Sequence, residues 1–201
     1  MALASIVLLL GLVTFWGVSL QNVLAPRDKQ VTPQTSSPMS IGFILALLGS
    51  LGMFAEALAL ITLELTGGVT IGLGVAQGLG LSLFLVGCLL HAWSVVVRGR
   101  YAVSWNMPEE QRLITDGPYA FVRHPSYLAY MLMITGLSAV WQMWFTLIPW
   151  VAIPGYYLVS KKEEALLLQH FDYRYGRYME SVGAFIPKLG GRQEAQRDYP
   201  E

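Results

Sequence analysis

Only one cysteine, Cys88, stands among the 201 residues. An internal disulfide framework and a cysteine-cluster metal site are therefore excluded. Charge is scarce as well. Asp, Glu, Lys and Arg make up 13% of the chain, about half the roughly 25% of a soluble domain. The charges cancel to a formal net of zero, so no global field steers the chain toward polyanions, which excludes a nucleic-acid binder that works by charge. What is abundant is apolar. Hydrophobic residues are 54%, with six Trp, ten Tyr and eight Phe. A disordered chain and a coiled coil are both excluded by that composition.

The few charges are also clustered. Residues 1–26 and 125–160 carry none, and residues 39–97 carry only Glu56 and Glu64. A membrane-crossing helix needs about 20 mostly apolar residues. Leu3 to Ala25 supplies one span, Ser40 to Leu65 a second and Ile71 to Val97 a third, with a turn at Thr66-Gly67-Gly68. The uncharged stretch 125–160 is short for two full spans and a turn, which need roughly 44 residues. It reads as a tight hairpin of two short helices turning near Trp141-Gln142, its second arm kinked by Pro149 and Pro154. The expected fold is an all-α integral membrane protein of about five transmembrane helices. Val23-Leu24-Ala25 faintly resembles a signal-peptidase site, but the stretch before it has no basic n-region and a long apolar run, so a retained helix is expected.

Five spans leave all thirteen basic residues on one side. Arg27 and Lys29 fall between spans one and two. Arg98, Arg100, Arg112 and Arg123 fall between three and four, and the other seven follow span five. Under the positive-inside rule that face is cytoplasmic, which puts the amino terminus outside and the carboxyl terminus inside. Within the membrane, Glu56 and His91 are ionisable and so are functional candidates; a helix–helix hydrogen bond is the simpler reading. Glu64, near the outer interface, is expected to be solvated. Glycines of span three (Gly72, Gly74, Gly78, Gly80, Gly87) suit close helix packing. Residues 1–97 thus form an amino-terminal helical unit, 98–189 a core with a cytoplasmic cap, and 190–201 a polar tail.

The cytoplasmic segments carry the chemistry. Asp116-Gly117-Pro118 is a turn, and Arg123-His124-Pro125 opens span four, where Pro125 suits the first helical turn and free N–H groups suit a carboxylate. After Lys161-Lys162-Glu163-Glu164, the residues Leu167, Phe171, Tyr175 and Tyr178 recur on one face of a helix. That helix is expected to lie along the membrane surface or over the loop. Ile186-Pro187 reads as a return to the surface.

The run from Leu113 through Gly117, Tyr119 and Arg123-His124-Pro125-Ser126-Tyr127 resembles the Arg-His-Pro-x-Tyr motif of the isoprenylcysteine carboxyl methyltransferases and their phospholipid-methyltransferase relatives. Glu163-Glu164, Phe171, Tyr175, Tyr178 and Ile186-Pro187 match their second conserved block in order and spacing. The resemblance covers about residues 98–189. It implies a membrane methyltransferase that uses S-adenosylmethionine at the cytoplasmic boundary. It also implies cofactor contacts at Gln111, Arg112, Leu113, Ile114, Tyr119, His124, Pro125, Ser126, Tyr127 and Glu163, with Arg123 and Glu163 as candidate catalytic residues. The acceptor is expected to be a lipophilic or membrane-associated small molecule, with the bilayer itself as partner and neither nucleic acid nor metal. Two positions depart from the family pattern. Ala129 replaces a glycine, for which a slight repacking is expected, and Val159 replaces the Arg that engages a prenylcysteine carboxylate.

Plain readings compete at each site. Arg123 also suits an anchor at the membrane face, Tyr127 an aromatic-belt residue, and Glu163 and Glu164 helix N-terminal charges. Two other functions compete as well: an NADPH-dependent sterol-type membrane reductase, which carries a similar Arg-x-Pro-x-Tyr segment, and a non-catalytic membrane protein.

Overall fold

The computed structural model describes residues 3–24, 30–31, 40–72, 74–99, 101, 107–108 and 111–188. They form six α-helices: α1 Leu3–Leu24, α2 Ile41–Leu65, α3 Val75–Arg98, α4 Pro125–Trp141, α5 Ala152–Phe171 and α6 Tyr173–Ser181. Two 3₁₀ segments, Gly117–Ala120 and Trp144–Val151, precede α4 and α5. Two-residue strands β1 (Gln30–Val31) and β2 (Met107–Pro108) pair antiparallel, tying the segment after α1 to the segment after α3. The polar tail and most of the proline-rich segment 26–38 lie outside the described residues.

Three helices are long and apolar enough to cross a membrane, within Leu3–Gln21, Ile41–Leu65 and Val75–Arg98. Their outward surfaces are greasy: Leu10, Val13, Leu48, Leu51, Leu58, Val75 and Val96 are all exposed. Water would penalise such a surface, whereas acyl chains solvate it. Apart from the two-residue strand pair, the described residues are helices and connections, and the chain is a helical integral membrane protein. Ser40 caps α2 by accepting from the Phe43 N–H. The third helix starts only at Val75, later than expected, with Gly74 extended at its N-cap.

Small residues decide how the helices meet, since in lipid close van der Waals contact drives association. Along the α3–α4 seam, a Cβ on Gly80 would stand 2.6 Å from the Gly136 carbonyl, and one on Gly87 would stand 2.7 Å from the Ala129 carbonyl. Gly72 and Gly78 face open space, so only part of the span-three glycine set packs. The family glycine missing at Ala129 is offset by Gly87 directly opposite. A second seam joins α2 to α5, where Gly42 meets Leu158, Gly49 meets Ala152, and Gly155 meets Ala46.

Three expectations change, and one, the helix–helix bond of His91, is met. Pro154 lies in the first turn of α5, where its missing N–H breaks nothing, and Pro149 sits inside the 3₁₀ segment, so neither kinks a continuous helix. The helix after Lys161 is not one element. It breaks at Asp172, whose φ of 49° ends α5 and turns the chain into α6. Glu64 is not simply solvated: it accepts from the Ser5 backbone N–H at 2.9 Å and from the Ser5 hydroxyl, satisfying a free donor at the start of α1. His91 has the helix–helix bond, with Ser19 at 3.1 Å, and stacks on Phe15 at 4.1 Å.

Candidate active site

The site begins where α3 ends. Gly117 adopts φ +57°, and a Cβ there would come within 2.9 Å of Val97 and 3.2 Å of Trp93. Only glycine suits both the conformation and the space. The turn seats the 117–120 segment against α3 and delivers Tyr119. The Tyr119 carbonyl accepts from the Tyr178 hydroxyl at 2.6 Å, so α6 holds this turn in place. The chain after α6 then clips the next residues. Val122 bridges Gly183 in parallel, and the N–H groups of Arg123 and His124 donate to the carbonyls of Gly183 and Ala184 at 2.8 and 3.0 Å.

A cluster of buried charges lies on the other side of that clip. Arg123 donates through Nε and Nη2 to Glu164 Oε1 at 3.1 and 2.7 Å, and through Nη1 to the carbonyls of Met179 and Val182. His124 Nε2 donates to the same carboxylate at 3.1 Å, and Lys161 donates to Oε2 at 3.0 Å. Burial opposes charge on Glu164, but the bonds from His124, Arg123 and Lys161 outweigh it and hold its pKa down to about 2. His124 is pushed below the usual histidine range by burial, which exceeds the pull of Glu164. It is neutral at pH 7, with its proton on Nε2.

Glu163 sits one residue back on α5 in a different setting. Its carboxylate accepts from the Tyr127 hydroxyl at 2.6 Å and lies 3.7 Å from His124 Nδ1. Burial dominates, and its pKa rises to about 7 even though the Tyr127 bond and Arg98 both favour the charged form. Two adjacent glutamates are thus split. Glu164 is a permanent anion inside a clamp, and Glu163 is a carboxylate poised near neutrality. Behind them runs a line of rings: His124 to Tyr127 at 5.8 Å, Tyr127 to Tyr156 at 5.3 Å, and Tyr156 to Tyr130 at 5.3 Å.

These elements enclose a cleft with about 610 Å3 of empty space, part of it open to solvent. Gln111, Arg112, Leu113, Ile114, Tyr119, His124, Pro125, Ser126, Tyr127 and Glu163 all line it. Arg123 borders it too, although its guanidinium is committed to Glu164 and two carbonyls. Sequence reasoning left out Arg98, Tyr101, Leu167, Tyr175 and Tyr178, which also face the cleft. The periodic face after Lys161 contained three of these five, whereas Arg98 registered only as a charge near a membrane boundary. Several polar atoms here are buried without a hydrogen-bond partner among the described residues: Gln111 Oε1, Ser126 Oγ and Arg98 Nε. Such orphans are uncommon in native proteins and call for an explanation.

Residues 75–174 match the phospholipid methyltransferase family, a segment that runs from the start of α3 into α6. Curated relatives that match a little over half of the chain are protein-S-isoprenylcysteine O-methyltransferases. The one from Tribolium castaneum is 29% identical over 126 residues, covering 57% of this chain and 43% of that protein. Protein-S-isoprenylcysteine O-methyltransferase A of Arabidopsis thaliana is 26% identical over 113 residues, covering 54% and 57%. The Schizosaccharomyces pombe relative is 28% identical over 123 residues, covering 57% and 51%. The chain spans about half the length of the curated relatives it matches, and none of these relatives is a reductase. By this segment the chain belongs to the phospholipid methyltransferase family of integral membrane proteins, alongside the isoprenylcysteine methyltransferases.

Proposed function

We propose that the chain is a membrane-embedded methyltransferase that takes its methyl group from S-adenosylmethionine and passes it to a lipophilic acceptor. The observation that carries this reading is the cleft. Ten residues from two stretches, one centred on 111–127 and one on Glu163, surround a single space at the end of an apolar helix bundle. Their chemistry suits a nucleoside joined to an amino acid. Leu113, Ile114, Pro125 and Leu167 supply apolar wall, Gln111 Oε1 and Ser126 Oγ are unpartnered polar atoms for a base or sugar, and Glu163 accepts from an ammonium or hydroxyl donor. The donor, when bound, supplies a sulfonium methyl for direct displacement.

In this reading the chain's own residues do four things. Tyr119 and Tyr127 put aromatic rings in the wall of the cleft, beside which a positive charge is favourable. Glu163, half ionised near pH 7, adds a matching negative charge. The Arg123–Glu164–His124 cluster is a positioning clamp that fixes the α5 and α4 ends of the cleft to one another. The bundle keeps bulk water from one side, so alignment of donor and acceptor contributes several kcal/mol to the barrier reduction. Val159, half-buried on α5, brings no cation, which argues against a carboxylate held at that position.

The reading extends to topology. Five spans, with α4 and α5 as a short pair after the three long helices, put every basic residue of the sequence on the cytoplasmic side. The amino terminus is then outside. Residues 98–189 form the methyl-transfer core and its cap, residues 1–97 the supporting helices, and 190–201 a tail. The test is incubation of purified protein with methyl-labelled S-adenosylmethionine and fractionated lipid extracts, followed by mass analysis. A labelled lipophilic product supports the reading. No labelled product, together with a binding response to NADPH alone, overturns it in favour of a reductase.

A further inference from the structure

Arg98 is the last residue of α3 and lines the cleft. Its Nε is buried and has no hydrogen-bond partner among the described residues. A guanidinium N–H left dry and unpaired is costly unless a ligand completes it. The other nearby cations are differently placed. The Arg123 guanidinium is occupied by Glu164 and the carbonyls of Met179 and Val182. Lys161 is half exposed, pairs with Glu164 and lies 5.5 Å over the Tyr157 ring. Arg112 and Lys162 are exposed, where an ion pair is worth little.

Arg98 also faces the right company. It acts on Tyr119 as a nearby positive charge and hydrogen-bond donor, and on Glu163 as an opposite charge. Among the described residues, the cleft is thus lined by a buried cation with an unpartnered atom, Arg98 Nε, and by the carboxylate of Glu163. A zwitterionic α-amino acid, with an ammonium and a carboxylate on one carbon, matches that pair. Arg is also the side chain best shaped for a carboxylate, through two parallel N–H bonds.

We propose that Arg98 binds the carboxylate of the donor's amino-acid part, an inference that rests on the methyltransferase reading above. The plain alternative is a cation that settles the carboxyl-terminal end of α3. The two roles separate by probe. Full-length protein in detergent is titrated calorimetrically with S-adenosylhomocysteine and with its decarboxylated analogue, which keeps the amine. The expected result is that Arg98→Gln weakens S-adenosylhomocysteine at least tenfold, leaves the analogue within twofold, and that Arg98→Lys falls between. Equal loss for both probes, or loss for neither, overturns the proposal. Should Arg98→Gln fail to stay monodisperse, the wild type decides: equal affinity for both probes overturns the proposal, and a tenfold preference for the carboxylate-bearing probe, reduced in Arg98→Lys, supports it. A wild type that binds neither probe overturns the methyltransferase reading itself.

Discussion

Tyr127 and Glu163, 36 residues apart, are joined by a 2.6 Å hydrogen bond in which the phenol donates to the carboxylate. That bond crosses from α4 to α5 at the edge of the cleft, so it couples the position of one wall to the charge on the other. Removing the hydroxyl in Tyr127→Phe takes away a contact that favours the ionised carboxylate. Glu163 should then ionise at higher pH. A hydrogen bond to a charged group is worth about 1.5–3 kcal/mol, so donor affinity at pH 7 should fall by about tenfold or more. In the wild type, affinity for S-adenosylhomocysteine should rise between about pH 6 and pH 8 as Glu163 charges. In the variant that rise should sit at higher pH. Calorimetric titration across this range checks both.

Glu163 has a second consequence, for stability. Its pKa is raised from 4.5 to about 7 by burial, so the folded protein holds a proton that the unfolded chain releases. Stability therefore falls as pH rises from 4.5 through 7, and above 7 the whole penalty is present. Glu163→Gln keeps an acceptor for Tyr127 without the charge. It should raise the thermal midpoint at pH 8, by an amount corresponding to roughly 1–3 kcal/mol, while lowering donor affinity. Equal midpoints at pH 8 contradict this.

The neighbouring glutamate behaves in the opposite sense. Glu164 is held down to about 2, so its contribution is fully present above pH 4.5 and is lost as pH falls from there toward 2. His124, pushed down by burial, adds to the acid sensitivity, because folded neutral histidine resists the proton that the unfolded chain accepts below about 6.5. Glu164→Ala strands a buried Arg123 and should cost about 3–5 kcal/mol. Thermal unfolding should show the variant destabilised at pH 7, with a flatter acid limb than the wild type.

Legibility was uneven, for physical reasons. The long apolar runs and the motif around Tyr119, His124 and Glu163 were readable, because lipid solvation and residue spacing leave direct marks on sequence. The break at Asp172 was not. A positive φ at Asp leaves no glycine to announce it, and the apolar period continues into α6. Glu64 looked solvated because its partner, Ser5, is 59 residues away. Arg98 had the charge and position of an ordinary membrane-boundary cation, and only the fold shows its Nε buried and without a partner among the described residues, in the same cleft as Glu163. The Ala129 departure reads as a small packing change, and α3 sets Gly87 against it, which the sequence does not show.

Glycine positions give a paired test of that packing. Gly117→Ala meets Val97 and Trp93 at a positive φ, so it should destabilise by about 1–2 kcal/mol or more and weaken donor binding through Tyr119. Gly176→Ala lies inside α6 with nothing within 4 Å, and should stabilise by about 0.5–1 kcal/mol. On α3, Gly87→Leu should disrupt the fit to Ala129 and Met133, whereas Gly78→Leu, facing open space, should be tolerated. Detergent-stability scans rank all four.

The central claim is that two distant stretches of the chain close around a methyl donor. It is tested most directly by titrating S-adenosylhomocysteine into purified wild type and Glu163→Ala, each shown to be monodisperse. Saturable one-site binding in the wild type, weakened at least tenfold in the variant with the thermal midpoint kept or raised, is the expected result. No saturable binding in the wild type, or the same affinity in both proteins, contradicts it.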